Sequence, residues 1–122
     1  MNTPYDLIAH LERQVKFSEK TFGPGCRTFG ILDHIRKELA EIDADPMDLE
    51  EWVDVILLAF DGAWRIGAKP WEIAQAIEAK LTKNENRTWP DWRTAPAGKA
   101  IEHTRSADES QSRLQPGAPS NE

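Results

Sequence analysis

The chain has 122 residues, 39% hydrophobic and 30% charged, with a formal net charge of -6. That length gives one domain with a modest core, and the acidic balance excludes a protein that holds nucleic acid by neutralising phosphates with surplus Lys and Arg. A lone cysteine, Cys26, excludes an internal disulfide framework, and the longest apolar run, Val55 to Phe60, is too short to span a bilayer. With no basic segment leading into an apolar core near Met1, the expected location is cytoplasmic, with neither membrane nor nucleic acid as partner.

Thr3 before Pro4 reads as an N-cap followed by proline at the first helical position, and Leu7, Ile8, Leu11 and Val15 recur at spacings of three and four. This predicts a first helix over Pro4 to Lys20. Phe22-Gly23-Pro24-Gly25 breaks it, and a loop to about Gly30 follows. The stripe Ile31, Leu32, Ile35, Leu39 and Ile42 predicts a second helix that ends before Pro46. After the tight connection Asp45-Pro46-Met47-Asp48, Leu49 to about Ile66 reads as a third helix. It is apolar on several sides: Val53, Ile56, Phe60 and Trp64 mark one face, while Val55, Leu58 and Ile66 lie elsewhere. Such a helix belongs at the centre of a fold or across a subunit contact.

Pro70 opens a fourth helix, with Ile73, Ala74, Ile77 and Leu81 expected inward and Lys80, Lys83, Asn84 and Arg87 on another face. Trp89-Pro90-Asp91-Trp92 ends it. No alternation long enough for a strand occurs, so the predicted fold is an all-α four-helix bundle over residues 1–93. From Thr94 to Glu122 the composition turns to Ala, Pro, Gly, Ser and charge, which predicts a mobile polar tail.

The chemistry is carried by two carboxylate pairs. Glu38 and Glu41 lie three residues apart on the second helix, Glu51 and Asp54 repeat the spacing on the third, and the short connection folds the two helices into an antiparallel hairpin. Asp54 sits within Trp52-Val53-Asp54-Val55-Ile56-Leu57-Leu58, where an unpaired ionised carboxylate costs on the order of several kcal/mol. A divalent cation compensates it. Oxygen ligands without Cys or His favour magnesium or manganese over zinc. The alternative is a solvated helix face partnered by Arg36 or Lys37. An EF-hand at Asp43-Ala44-Asp45-Pro46 fails, because the loop lacks the required glycine and the remaining ligands.

Other groups have two readings each. His34 lies on the face of Glu38 and Glu41, suited to contact substrate or to hydrogen-bond a carboxylate. Lys80, Lys83, Asn84 and Arg87 suit a phosphate-bearing ligand, or simply reflect the preference for cations near a helix C-terminus. Trp89 and Trp92 suit base stacking or packing, whereas Trp52, Trp64 and Trp71 are expected in core or subunit contacts. The apolar third helix also predicts association into a homodimer or homotetramer.

The signature Glu38-Leu39-Ala40-Glu41 followed by Glu51-Trp52-Val53-Asp54 resembles that of the MazG-like all-α nucleoside triphosphate pyrophosphohydrolases. The blocks LDHIRKELAEI, DLEEWVDVILLAFDGAWR and KLTKNENRTWPDWR are similar to the branch described as dATP/dGTP pyrophosphohydrolases, which includes enzymes of phages with modified purine genomes. The resemblance implies hydrolysis of a purine (deoxy)nucleoside triphosphate, such as dGTP or dATP, to the monophosphate and pyrophosphate. It implies Mg2+, with Mn2+ as a substitute, held by Glu38, Glu41, Glu51 and Asp54, with the adjacent Glu50 as the alternative ligand to Glu51. It also implies phosphate contacts from the Lys80 to Arg87 block and an active site drawing on more than one subunit. Glu41 is the carboxylate assigned to orient or deprotonate the attacking water. The rival readings are a non-catalytic helical dimerisation or nucleotide-sensing module, and the same reaction on a pyrimidine dNTP.

Overall fold

Two of the four helices begin at residues other than those expected from the sequence. The computed structural model describes residues 3–105, which form four α-helices and one short 3-10 turn: α1 (Leu7–Phe22), α2 (Thr28–Ala44), α3 (Leu49–Arg65), α4 (Pro70–Glu85) and the turn Trp92–Thr94. No strand occurs among the described residues, as an all-α reading requires.

α1 starts at Leu7 rather than Pro4, because the Asp6 carboxylate accepts the Ala9 N–H (3.0 Å) and takes the capping role expected of Thr3. α2 starts at Thr28 rather than Ile31, so Gly30 lies inside a helix, where glycine costs about 1 kcal/mol relative to alanine. Its lack of a Cβ has a use. A Cβ there would stand 3.0 Å from an Arg27 guanidinium nitrogen, and that guanidinium lies over the Phe22 ring, 5.6 Å from its centroid.

The α2–α3 connection is braced at both ends. Asp48 caps α3 by accepting the Glu50 N–H (3.0 Å), and Trp52 Nε1 donates to the Pro46 carbonyl (2.9 Å). At α4, Pro70 occupies the first helical position and Glu72 reaches back to accept the Lys69 N–H (2.8 Å), which is half of a capping box.

α3 is the element against which both α2 and α1 pack. Gln14 bonds the Leu57 carbonyl, while Ser18 bonds Asp61 and Arg65, so α1 runs parallel to α3. The pairing is polar and buried. Arg65 Nη1 donates to the carbonyls of Gly23 (2.9 Å) and Gly25 (2.8 Å), and its Nη2 donates to Ser18 O (3.2 Å) and Ser18 Oγ (2.9 Å). Asp61 accepts from Ser18 Oγ (2.6 Å) and Trp64 Nε1 (2.9 Å), with Arg65 Nε 3.7 Å from its Oδ2. Both glycines have φ +88°, a conformation that other residues rarely adopt, and their carbonyls converge on one guanidinium.

The chain divides into two compact units between Ala79 and Lys80, within α4. In the first, the almost fully buried apolar side chains are Leu11, Ile31, Ile42 and Ile73. Trp52 and Trp71, expected in contacts, are exposed in the single chain, as are Ile77 and Leu81, which were expected to face inward. In the second unit, Thr104 N–H donates to the Thr88 carbonyl (2.7 Å) and the His103 ring packs edge-on against Trp89. The segment 95–105, expected as the start of a mobile tail, thus returns to the end of α4; the rest of that tail, 106–122, lies outside the described residues.

Removing Arg65 leaves the Asp61 charge buried. Arg65→Met is expected to lower the unfolding free energy by about 3 kcal/mol or more in urea denaturation, because one partner of a buried pair is left uncompensated. Asp61→Leu combined with Arg65→Met recovers part of the loss; a single variant as stable as wild type would remove the pair from the determinants of the fold.

Candidate metal centre and adjoining cavity

The hairpin places carboxylates from both helices together. One oxygen each from Glu38 and Glu41 on α2 and Glu51 on α3 lies within 4.8 Å of the others, a spacing that suits a shared cation. Glu50 is not part of this group. Asp54 stands against Glu38 and is half-buried, so the most deeply buried member of the set is Glu38 and not Asp54. The apolar run around Asp54 misleads because Trp52, Val53 and Ile56 turn to solvent.

Glu38 is 7% exposed, and its Oε2 has no hydrogen-bond partner. Its other oxygen, Oε1, lies 3.6 Å from His34 Nε2, beyond hydrogen-bond reach. Burial, then proton-sharing and repulsion with Glu41 and Asp54, push its pKa from 4.5 to about 7. Burial followed by the charges of Glu41, Asp48, Asp54 and Asp45 raises Glu51 as well. Neither Arg36 nor Lys37 relieves the cluster, since Lys37 pairs with Asp33 (3.7 Å). A buried carboxylate oxygen with no donor, beside three further carboxylates, requires a proton or a cation. The all-oxygen donor set fits a hard divalent ion.

Glu38 and Asp54 also form one wall of a cavity of about 470 Å³, a size typical of small-molecule sites. From α3 the lining continues through Leu57, Leu58 and Asp61; from α2 it includes His34; from α1 and its approach come Tyr5, His10, Arg13, Gln14, Phe17 and Ser18. Sequence reasoning expected the first helix to contribute from a neighbouring subunit and named none of its residues. The signal was present as His10, Gln14 and Ser18 at spacings of four beside the buried Leu11, a polar stripe on a helix read only for its apolar positions.

The basic block belongs to the second unit. Asn84 Oδ1 accepts from Arg87 (3.0 Å) and the Asn84 carbonyl accepts from Trp89 Nε1 (2.7 Å), so Asn84, Arg87 and Trp89 brace the end of α4. Lys80 and Lys83 are exposed.

A carboxyl whose pKa is higher folded than unfolded binds its proton more tightly in the native state. That contribution is complete below about pH 4.5 and disappears as pH rises through about 7. Metal-free protein is therefore expected to lose stability over this window, and Glu38→Gln to flatten the decline and exceed wild type at pH 8. Urea midpoints at constant ionic strength measure it; an equal decline in both proteins would show that Glu38 is not the group responsible.

A family model described as dATP/dGTP pyrophosphohydrolase matches residues 10–109. Among proteins with curated descriptions, none matches the sequence. Among solved structures, a cyanophage S-2L MazG-like pyrophosphohydrolase, bound to dGDP and three catalytic Mn2+ ions per active site, is similar in fold. Its TM-score is 0.66 at 24% identity, covering 87% of this chain and 100% of that one. Because the family model spans most of its length, the chain belongs to the dATP/dGTP pyrophosphohydrolase family and is a nucleotide pyrophosphohydrolase.

Proposed function

We propose that the protein hydrolyses a purine deoxynucleoside triphosphate, dGTP or dATP, to the monophosphate and pyrophosphate with Mg2+, for which Mn2+ substitutes. The observation that carries this reading is the buried, donorless Oε2 of Glu38 at the junction of the carboxylate group and a nucleoside-sized cavity. The dGDP and Mn2+ named for the S-2L protein support the same ligand classes.

Glu38, Glu41, Glu51 and Asp54 would hold the metal. When bound, it supplies charge neutralisation at the phosphates and a water that ionises near neutral pH. In the reaction a water oxygen bonds to the α-phosphorus, the bond from that phosphorus to the α–β bridging oxygen breaks, and pyrophosphate leaves. Glu41 is the exposed member of the tight group and is assigned to orient the water and accept its proton. Glu38, enclosed by protein, fixes position instead. The cavity receives the nucleoside, with His34 beside Glu38 at its mouth. Lys80, Lys83, Asn84, Arg87 and Trp89 are proposed as substrate contacts on the cationic, amide and aromatic chemistry of their block.

The catalytic region proposed is 1–93, and it works as a homodimer or homotetramer. Leu49, Trp52, Val53 and Ile56 recur at helical spacing along α3 and are exposed, an apolar face that a second copy would cover. Light scattering that finds only monomer would remove this part of the reading.

Incubation with each dNTP and magnesium, following pyrophosphate and monophosphate, tests the function. Release of both from dGTP or dATP is expected; orthophosphate alone, or no product from any triphosphate, would overturn it. Asp54→Asn and Glu38→Gln are expected to lower turnover by more than about 100-fold while the helical circular dichroism persists, since even groups that only support ligands cost up to about that much. Turnover near wild type in either variant would take that residue out of the site.

A further inference from the structure

Along the α1 wall of the cavity most polar groups are already committed. Gln14 donates its amide hydrogen to the Leu57 carbonyl (2.7 Å), which leaves its oxygen to accept from His10 Nε2 (2.8 Å). His10 Nδ1 is in turn bonded to the Tyr5 hydroxyl (2.6 Å), so both ring nitrogens are engaged. Ser18 and Asp61 are bound to each other, with Arg65 and Trp64 as their further partners. Arg13 differs: it lines the cavity and makes no hydrogen bond or ion pair among the described residues. Phe17, four residues on and hence on the same face of α1, also lines the cavity with its side chain 60% exposed.

Their level along the helices decides what they meet. With Gln14 opposite Leu57 and α1 parallel to α3, Arg13 stands level with Ile56, roughly 3 Å of helix rise past Asp54 and roughly 7.5 Å past Glu51. If the phosphates sit at the carboxylate group, which rests on the pyrophosphohydrolase reading above, the base and not the pyrophosphate reaches this level. A guanidinium offers two parallel donors and no acceptor. The O6 and N7 of a 6-oxopurine are two adjacent acceptors that match it, whereas a 6-aminopurine sets a donor against it. An aromatic ring one turn away supplies a stacking face that tolerates any base. We infer that Arg13 is a specificity-determining residue that selects a 6-oxopurine over a 6-aminopurine, with Phe17 stacked on the base.

Equilibrium titration of the full chain with dGMP, dIMP and dAMP, magnesium present, tests this without turnover. A protein that hydrolysed no triphosphate would thus fail the functional reading while the base selection remained measurable. In wild type, dGMP and dIMP are expected to bind alike and more tightly than dAMP. Arg13→Ala should reduce the ratio of dGMP to dAMP affinity by about 5-fold to 150-fold, the worth of one bidentate contact. Phe17→Ala should weaken all three together. An unchanged ratio in Arg13→Ala overturns the inference, because the guanidinium would then serve a phosphate or the fold. So does dIMP behaving like dAMP, which moves the selection to the 2-amino group, or a wild type that binds none of the three. Loss confined to one nucleotide in Phe17→Ala overturns the stacking role. Arg13 is exposed, so thermal melting of its variant should match wild type.

Discussion

The buried pair of Asp61 and Arg65 sets the frame on which the rest depends. Its partners lie on α1, on the α1–α2 loop and on α3 itself, so one guanidinium and one carboxylate hold three segments in register. Apolar packing alone would let α1 slide or rotate along α3, because Leu11 contributes one buried contact point and hydrophobic burial is not directional. Hydrogen bonds of fixed geometry remove that freedom. With α1 fixed parallel to α3, its stripe of His10, Gln14 and Ser18 faces the same space as Asp54, Leu58 and Asp61, and a cavity results.

At the other end of that cavity the charges are arranged in the opposite sense. Asp61 is a buried carboxylate surrounded by donors; Glu38 is a buried carboxylate surrounded by carboxylates. The first is satisfied within the chain and stabilises it. The second is satisfied only by something that the chain does not itself contain, and it is the group whose pKa rises to about 7. Glu38 is carried by α2, which packs directly on α3, the helix that the Asp61 frame fixes to α1, and that packing tolerates the uncompensated carboxylate. The functional end of the molecule is therefore the end at which the protein opposes its own folding.

How much of this could be read from the sequence follows from the range of each interaction. The hairpin and its two carboxylate pairs depend on spacing within helices and on a short connection, and both are visible in the order of residues. Which carboxylate becomes buried is different. It depends on which faces of α2 and α3 meet, and the apolar run around Asp54 pointed to the wrong partner because its Trp52, Val53 and Ile56 face solvent. Helix starts failed where a local device outcompeted a stronger motif, Asp6 over Thr3-Pro4, or where a glycine was used for close approach, Gly30 beneath Arg27. Asp61 and Arg65 carried a signal, opposite charges four apart within an apolar helix, yet their partners on α1 are more than 40 residues away in sequence, beyond the reach of any local pattern.

The exposed stripe of α3 connects these features. Leu49, Trp52, Val53 and Ile56 alternate in sequence with Glu51 and Asp54, so one helix carries the carboxylates on one side and unburied apolar surface on another. The hydrogen bonds of Asp61 and Arg65 fix the orientation of α3 against α1, so the stripe keeps its outward direction while Glu51 stays beside Glu38 and Glu41 of α2.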